Sequence, residues 1–161
     1  MFKWIFVSLF VTLFGSVAQA QDTAPKPLAP FDIMLVNSQK LKSVQLKKSE
    51  PVILMYFSPE CDHCKDLTKE ILKNAKSLGA KQLIMVTYFP VADVKKFAND
   101  FSIQKYPNIK IGTEGMALVV QKHYNIRNFP FVVLYDKSGK MVRMFREQAP
   151  SMDIVKAMQK L

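Results

Sequence analysis

The residues able to do chemistry in this chain are concentrated in Ser58-Pro59-Glu60-Cys61-Asp62-His63-Cys64-Lys65, which holds both of its cysteines at C-x-x-C spacing. Two thiols three positions apart at the start of a helix can close a disulfide. The leading one, Cys61, would face the unpaired N–H groups and positive dipole end of that helix, which favours the thiolate that attacks disulfides. His63, inside the motif, would favour the Cys61 thiolate further and make the disulfide more oxidising, whereas the carboxylates of Glu60 and Asp62 act in the opposite sense. As a structural staple the pair is poorly placed. Closing a four-residue loop removes about 2 kcal/mol of chain entropy, against about 3 kcal/mol for a fifteen-residue loop. The spacing therefore points to thiol–disulfide exchange, in which Cys61 forms a mixed disulfide and Cys64 resolves it.

Two other uses of the pair stay open from the residues. Copper or zinc could be carried by Cys61, Cys64 and a distant His123, since thiolates and imidazole suit both metals. His63 lies two positions past Cys61 and would point away from a site made by both thiols. Alternatively, the domain could be a binding module whose disulfide is vestigial. A peroxidase of the peroxiredoxin type is not expected, because its P-x-x-x-T/S-x-x-C pattern needs proline where Leu54 stands. No resident metal and no cofactor beyond the Cys61–Cys64 disulfide is expected.

The elements that must position the motif read as an α/β domain. Val52 to Phe57 is a continuous apolar run, the habit of a central strand covered on both faces. From Cys61 a helix follows with Leu67, Ile71, Leu72, Ala75 and Leu78 on one face and Gly79 after its end. Leu83 to Phe89 is a second buried strand, and Val94, Phe97, Ala98 and Phe101 place a helix after Pro90. This alternation predicts a parallel strand pair with a right-handed crossover. Ahead of it, Phe31 to Val36 and Lys40 to Leu46 read as a hairpin around Asn37-Ser38-Gln39. Asn108 to Ile111 suits a short strand, and Thr113 suits the cap of a helix over Met116 to His123. Phe131 to Tyr135 and Met141 to Phe145 flank the loop Asp136-Lys137-Ser138-Gly139, and Ser151 suits the cap of a last helix carrying Ile154, Met158 and Leu161.

The first twenty residues carry an export pattern: Met1 to Lys3 is basic at its end, Trp4 to Phe14 is apolar, and Ala18-Gln19-Ala20 is an A-x-A cleavage site. The expected organisation is a signal peptide over 1–20, a proline-bearing tether over 21–30 and one domain over 31–161, located in the periplasm. The net charge of +10 comes from scattered lysines without a basic run or interleaved aromatics, so it predicts a solvated basic surface and no nucleic-acid partner.

The order of these features resembles the thioredoxin fold. The N-terminal hairpin, an extra segment before Phe129-Pro130, the stretch His123-Tyr124-Asn125-Ile126-Arg127-Asn128-Phe129-Pro130 and the later Asp136-Lys137-Ser138-Gly139-Lys140 make it most similar to the exported, TlpA-like thiol:disulfide oxidoreductases. The resemblance covers about Phe31 to Leu161. It implies a mixed sheet flanked by helices, a cis Pro130 beside the disulfide, and a Phe129 backbone that pairs with an extended substrate chain. It also implies a monomer that acts on protein thiols or disulfides, with a membrane-bound redox partner. Two residues depart from the thioredoxin pattern. Met55 stands where thioredoxin has a buried carboxylate that moves protons for the second cysteine, and Glu60 stands where it has tryptophan. The proton acceptor for Cys64 is then Glu60, Asp62, His63 or water.

Overall fold

The computed structural model describes residues 25–146 and 149–161, so the expected signal peptide and the tether as far as residue 24 lie outside the described residues. The chain runs β1 (Asp32–Leu35), β2 (Lys40–Lys42), β3 (Val52–Tyr56), α1 (Asp62–Lys73), α2 (Ala75–Leu78), β4 (Gln82–Thr87) and α3 (Val91–Asp100), then β5 (Ile109–Thr113), α4 (Val119–Tyr124), β6 (Phe131–Tyr135), β7 (Met141–Phe145) and α5 (Ser151–Gln159). All seven strands join one mixed sheet in the order β2-β1-β5-β4-β3-β6-β7. The predicted parallel pair is β3 with β4, in register from Val52 opposite Gln82 to Tyr56 opposite Val86. On its other edge β3 pairs antiparallel with β6, and every residue of both strands is buried. This is why β3 reads as an unbroken apolar run: α1, α3 and α5 cover one face, and α4 with the N-terminal segment covers the other.

Alternation along β3 divides the core. Ile53, Met55 and Phe57 point to the face covered by α1, α3 and α5, where they meet Leu67, Ile71, Phe97, Ile154 and Met158. Leu54 and Tyr56 point to the opposite face, against Phe31, Val120, Tyr124 and Ile126. Each fully buried side chain of this size contributes about 1.5–3 kcal/mol relative to exposure. Gly112 in β5 admits the neighbouring strand, because a Cβ there would lie 2.6 Å from the Met34 carbonyl oxygen of β1.

Several sequence expectations change in detail. The second arm of the N-terminal hairpin is strand only over Lys40–Lys42 and turns into a 3-10 turn over Ser43–Gln45. The first helix breaks at Asn74, whose side chain donates to the Glu70 carbonyl oxygen at 2.8 Å. Residues 26–30 do not behave as a free tether. Ala29 is fully buried and its N–H donates to the Tyr124 hydroxyl at 3.0 Å, while the Tyr135 hydroxyl donates to the carbonyls of Lys26 and Pro27, each at 3.1 Å. Thr113 does not cap the helix before the cis peptide; its hydroxyl accepts from Gly115 N–H, and the carboxylate of Glu114 receives the first N–H groups of α4 instead. Ser151 is the first residue inside α5, with Pro150 at the cap position and no side-chain cap. The terminal hairpin spans the expected strands, its loop closed by Asp136, whose carboxylate accepts from Ser138 N–H, Ser138 Oγ–H and Lys140 N–H.

Candidate active site

Strand β3 delivers the chain to the C-terminal end of the parallel strands, and Ser58 carries it into the helix start. Cys61 is the N-cap of α1, in extended conformation, and its sulfur accepts the Cys64 N–H at 3.3 Å. That is one of the four donors a helix start leaves unpaired. The Cys61 thiol in turn donates to the carbonyl oxygen of Phe129 at 3.7 Å. Cys61 is half-buried and Cys64 fully buried, and both are free thiols. Burial pushes the Cys64 thiol well above the ordinary cysteine range, and its hydrogen bond with Cys61 adds to the rise. One helical turn thus separates an accessible sulfur from one that keeps its proton.

Phe129 and Pro130 meet the motif from the entry to β6, and the peptide bond between them is cis. Phe129 packs against the cores on both sheet faces. Its ring stacks on Tyr56 with centroids 5.9 Å apart and faces Tyr88 at 6.3 Å, and Tyr88 packs on Phe89 at 4.8 Å. Phe129, whose carbonyl meets Cys61, is thus joined to a row of aromatic rings made by Tyr56, Tyr88 and Phe89.

The predicted tuning residues stand on the open side. Glu60, Asp62 and His63 are exposed. Asp62 accepts a hydrogen bond from Lys65 Nζ at 2.9 Å, which holds its carboxyl below the usual carboxylate range and raises the Lys65 ammonium in return. The Asp62 charge is thereby partnered by a cation one turn along the helix, so its opposition to a Cys61 thiolate is weaker than the sequence implies. Met55 is buried in the same core cluster as Cys64, so the neighbourhood of the second thiol is apolar. His123 is not brought to the cysteines: its Nε2 lies 2.9 Å from the Pro27 carbonyl oxygen and its ring meets Tyr124 edge-on. Among the described residues no group of three or more histidine, cysteine or acidic side chains is arranged to hold a metal.

Sequence reasoning did not single out Lys65, Tyr88, Phe89 or the pair Tyr56–Glu114. Lys65 sits four positions after Cys61, a helical neighbour on the same face, so the spacing alone could have marked it. Tyr56 ends β3, Tyr88 and Phe89 follow β4 and Glu114 follows β5, so no local signal joins them.

Comparison with known proteins agrees with this architecture. A protein disulfide-isomerase of Arthroderma benhamiae is 28% identical over 154 residues, covering 93% of this chain and 27% of its own length. Human protein disulfide-isomerase A2 is 24% identical over 103 residues, covering 63% of this chain and 19% of its own length. The chain thus spans about a quarter or less of the curated relatives it matches. Among solved structures, a secreted disulfide oxidoreductase of Mycobacterium tuberculosis homologous to E. coli DsbE superposes with a TM-score of 0.69 at 15% identity, covering 82% of this chain and 96% of that one. An exposed lipoprotein thioredoxin of Streptococcus pneumoniae gives a TM-score of 0.59 at 21% identity, covering 81% and 98%. At these identities the structural likeness is one of fold. The model of the thioredoxin-like domain family matches residues 38–161, which include the C-x-x-C helix, the cis peptide and all but the first strand, and the chain belongs to that family.

Proposed function

We propose that this protein is a thiol–disulfide oxidoreductase of the cell envelope that exchanges disulfides with protein substrates through Cys61 and Cys64. The observation that carries the reading is the inequality of the two sulfurs: Cys61 is accessible at the helix start and Cys64 is buried one turn behind it. In the reducing direction the Cys61 thiolate attacks a substrate disulfide and displaces one substrate sulfur as a thiolate, which takes up a proton. Cys64 then loses its proton and attacks the Cys61 sulfur; the internal disulfide forms, the mixed disulfide breaks, and the second substrate thiol leaves. Two electrons pass from the Cys61–Cys64 pair to the substrate, and the reverse sequence oxidises a substrate dithiol.

Phe129 and Pro130 form the substrate shelf in this reading. Proline has no N–H, so at this edge an extended substrate chain would pair with the backbone of Phe129, whose carbonyl already reaches Cys61. His63, Asp62 and Glu60 tune the pair, with Lys65 offsetting Asp62. The export pattern of residues 1–20 supports an envelope location, and the secreted and exposed proteins of the same fold are in keeping with it. A membrane-bound partner would reset the pair after each cycle.

The test is trapping. A Cys64→Ser variant cannot resolve its mixed disulfides, so it is expected to accumulate covalent adducts with envelope proteins that vanish on reduction and are absent from the Cys61→Ser variant. No such adducts would leave a binding module as the better reading.

A further inference from the structure

On the sheet face away from the cysteines lies a buried carboxylate that thiol exchange does not use. Glu114 follows the last residue of β5 and is 8% exposed. Its Oε2 accepts the Val120 N–H at 2.7 Å, and its Oε1 accepts the Gln121 N–H at 3.3 Å and the Tyr56 hydroxyl at 2.6 Å. Tyr56 is the last residue of β3, fully buried, and its ring is the one that stacks on Phe129. Phe129 is also the residue whose carbonyl oxygen receives the Cys61 thiol. A continuous path of contacts therefore runs from the start of α4 through Glu114, Tyr56 and Phe129 to the reactive sulfur.

Capping a six-residue helix does not require this arrangement, since serine, threonine or aspartate serves that purpose without burying a longer carboxylate. Filling the space beside Phe129 does not require it either, because phenylalanine has nearly the volume of tyrosine. What the hydroxyl–carboxylate bond adds is orientation: it fixes the plane of the Tyr56 ring, and a stacked neighbour follows that plane.

We infer that Tyr56 and Glu114 are a positioning pair that holds Phe129 in the register an extended substrate peptide needs beside Cys61. The inference rests on the reading of Phe129–Pro130 as the substrate shelf. It predicts a selective defect, because a peptide must align with the shelf and a small disulfide need not.

The experiment compares two oxidants of the reduced full domain: a disulfide-bonded peptide and dithiodipyridine. Tyr56→Phe and Glu114→Ala are each expected to lower kcat/KM for the peptide about fivefold or more, the scale of one lost hydrogen bond, with the dithiodipyridine rate unchanged. Glu114→Gln, whose amide oxygen can still accept the phenol, should recover most of the peptide rate. If Tyr56→Phe keeps the parent's ratio of peptide to dithiodipyridine rates, or if both rates fall together, the inference is overturned while the oxidoreductase reading stands. A parent that reduces neither disulfide would remove that reading and this inference with it. Circular dichroism of Tyr56→Phe, a volume-conserving change, checks that the comparison is between folded proteins.

Discussion

Cys61 and Cys64 differ because one turn of α1 carries the chain from the end of β3 into the core. The sequence made the pair visible through its spacing, and the N-cap position of Cys61 follows from the break between an apolar strand and an amphipathic helix. Met55 was legible as a departure, and the structure gives it a consequence: the second thiol is surrounded by apolar side chains rather than beside a carboxylate. Glu114 was not legible, because its partner Tyr56 lies 58 positions away. The raised Cys64 thiol makes a prediction with a definite sign. In the unfolded reduced chain a cysteine releases its proton above about pH 8.5, while the buried Cys64 retains it. The unfolded state then binds fewer protons, so the stability of the reduced protein falls as pH rises past that point, by about 1.4 kcal/mol per pH unit at most. Denaturant midpoints at neutral pH and near pH 10 should show a steeper loss for the parent than for Cys64→Ser. Equal losses would mean that burial does not hold the proton on Cys64.

At the scale of elements, the most legible parts are those whose pattern is local. The strands of the terminal hairpin and the loop between them follow from two apolar runs on either side of Asp136 and Gly139, the latter at a φ of +81°. The segment before the cis peptide was the least legible, because its helix starts at a residue capped from Glu114 rather than by a serine, threonine or aspartate at the helix start. Residues 21–30 were read as a tether since three prolines and no periodicity suggest an open chain, yet 26–30 are held in place. What binds them is tertiary: the Ala29 N–H donates to the Tyr124 hydroxyl, and Tyr124 shares a 2.7 Å bond with Tyr135, which donates to the Lys26 and Pro27 carbonyls. Tyr135→Phe removes the bond to the Tyr124 hydroxyl and those to the Lys26 and Pro27 carbonyls, and should cost about 1–3 kcal/mol in unfolding free energy. Because this cluster lies on the face away from the cysteines, the reduction potential of the pair should not move. An unchanged unfolding midpoint would show that the Tyr135 hydroxyl bonds contribute nothing to stability.

For the molecule as a whole, one sheet serves two purposes through the alternation of β3. Met55 and Phe57 face the helices that bury Cys64, and Tyr56 faces the layer that supports Phe129. Lys47, Lys65, Lys69 and Lys73 each pair with an acidic residue three positions away on the surface, contacts that contribute little to stability. The central claim is that Cys61 and Cys64 act as one reversible two-electron couple. Its most direct test is equilibration of the purified protein in glutathione buffers of graded potential, with free thiols counted by the mass added on alkylation. Both thiols should disappear together in a single transition, within the range of about −270 to −120 mV that exchange proteins span. Thiols that stay free across that range, or that take up glutathione separately without closing on each other, would contradict the account.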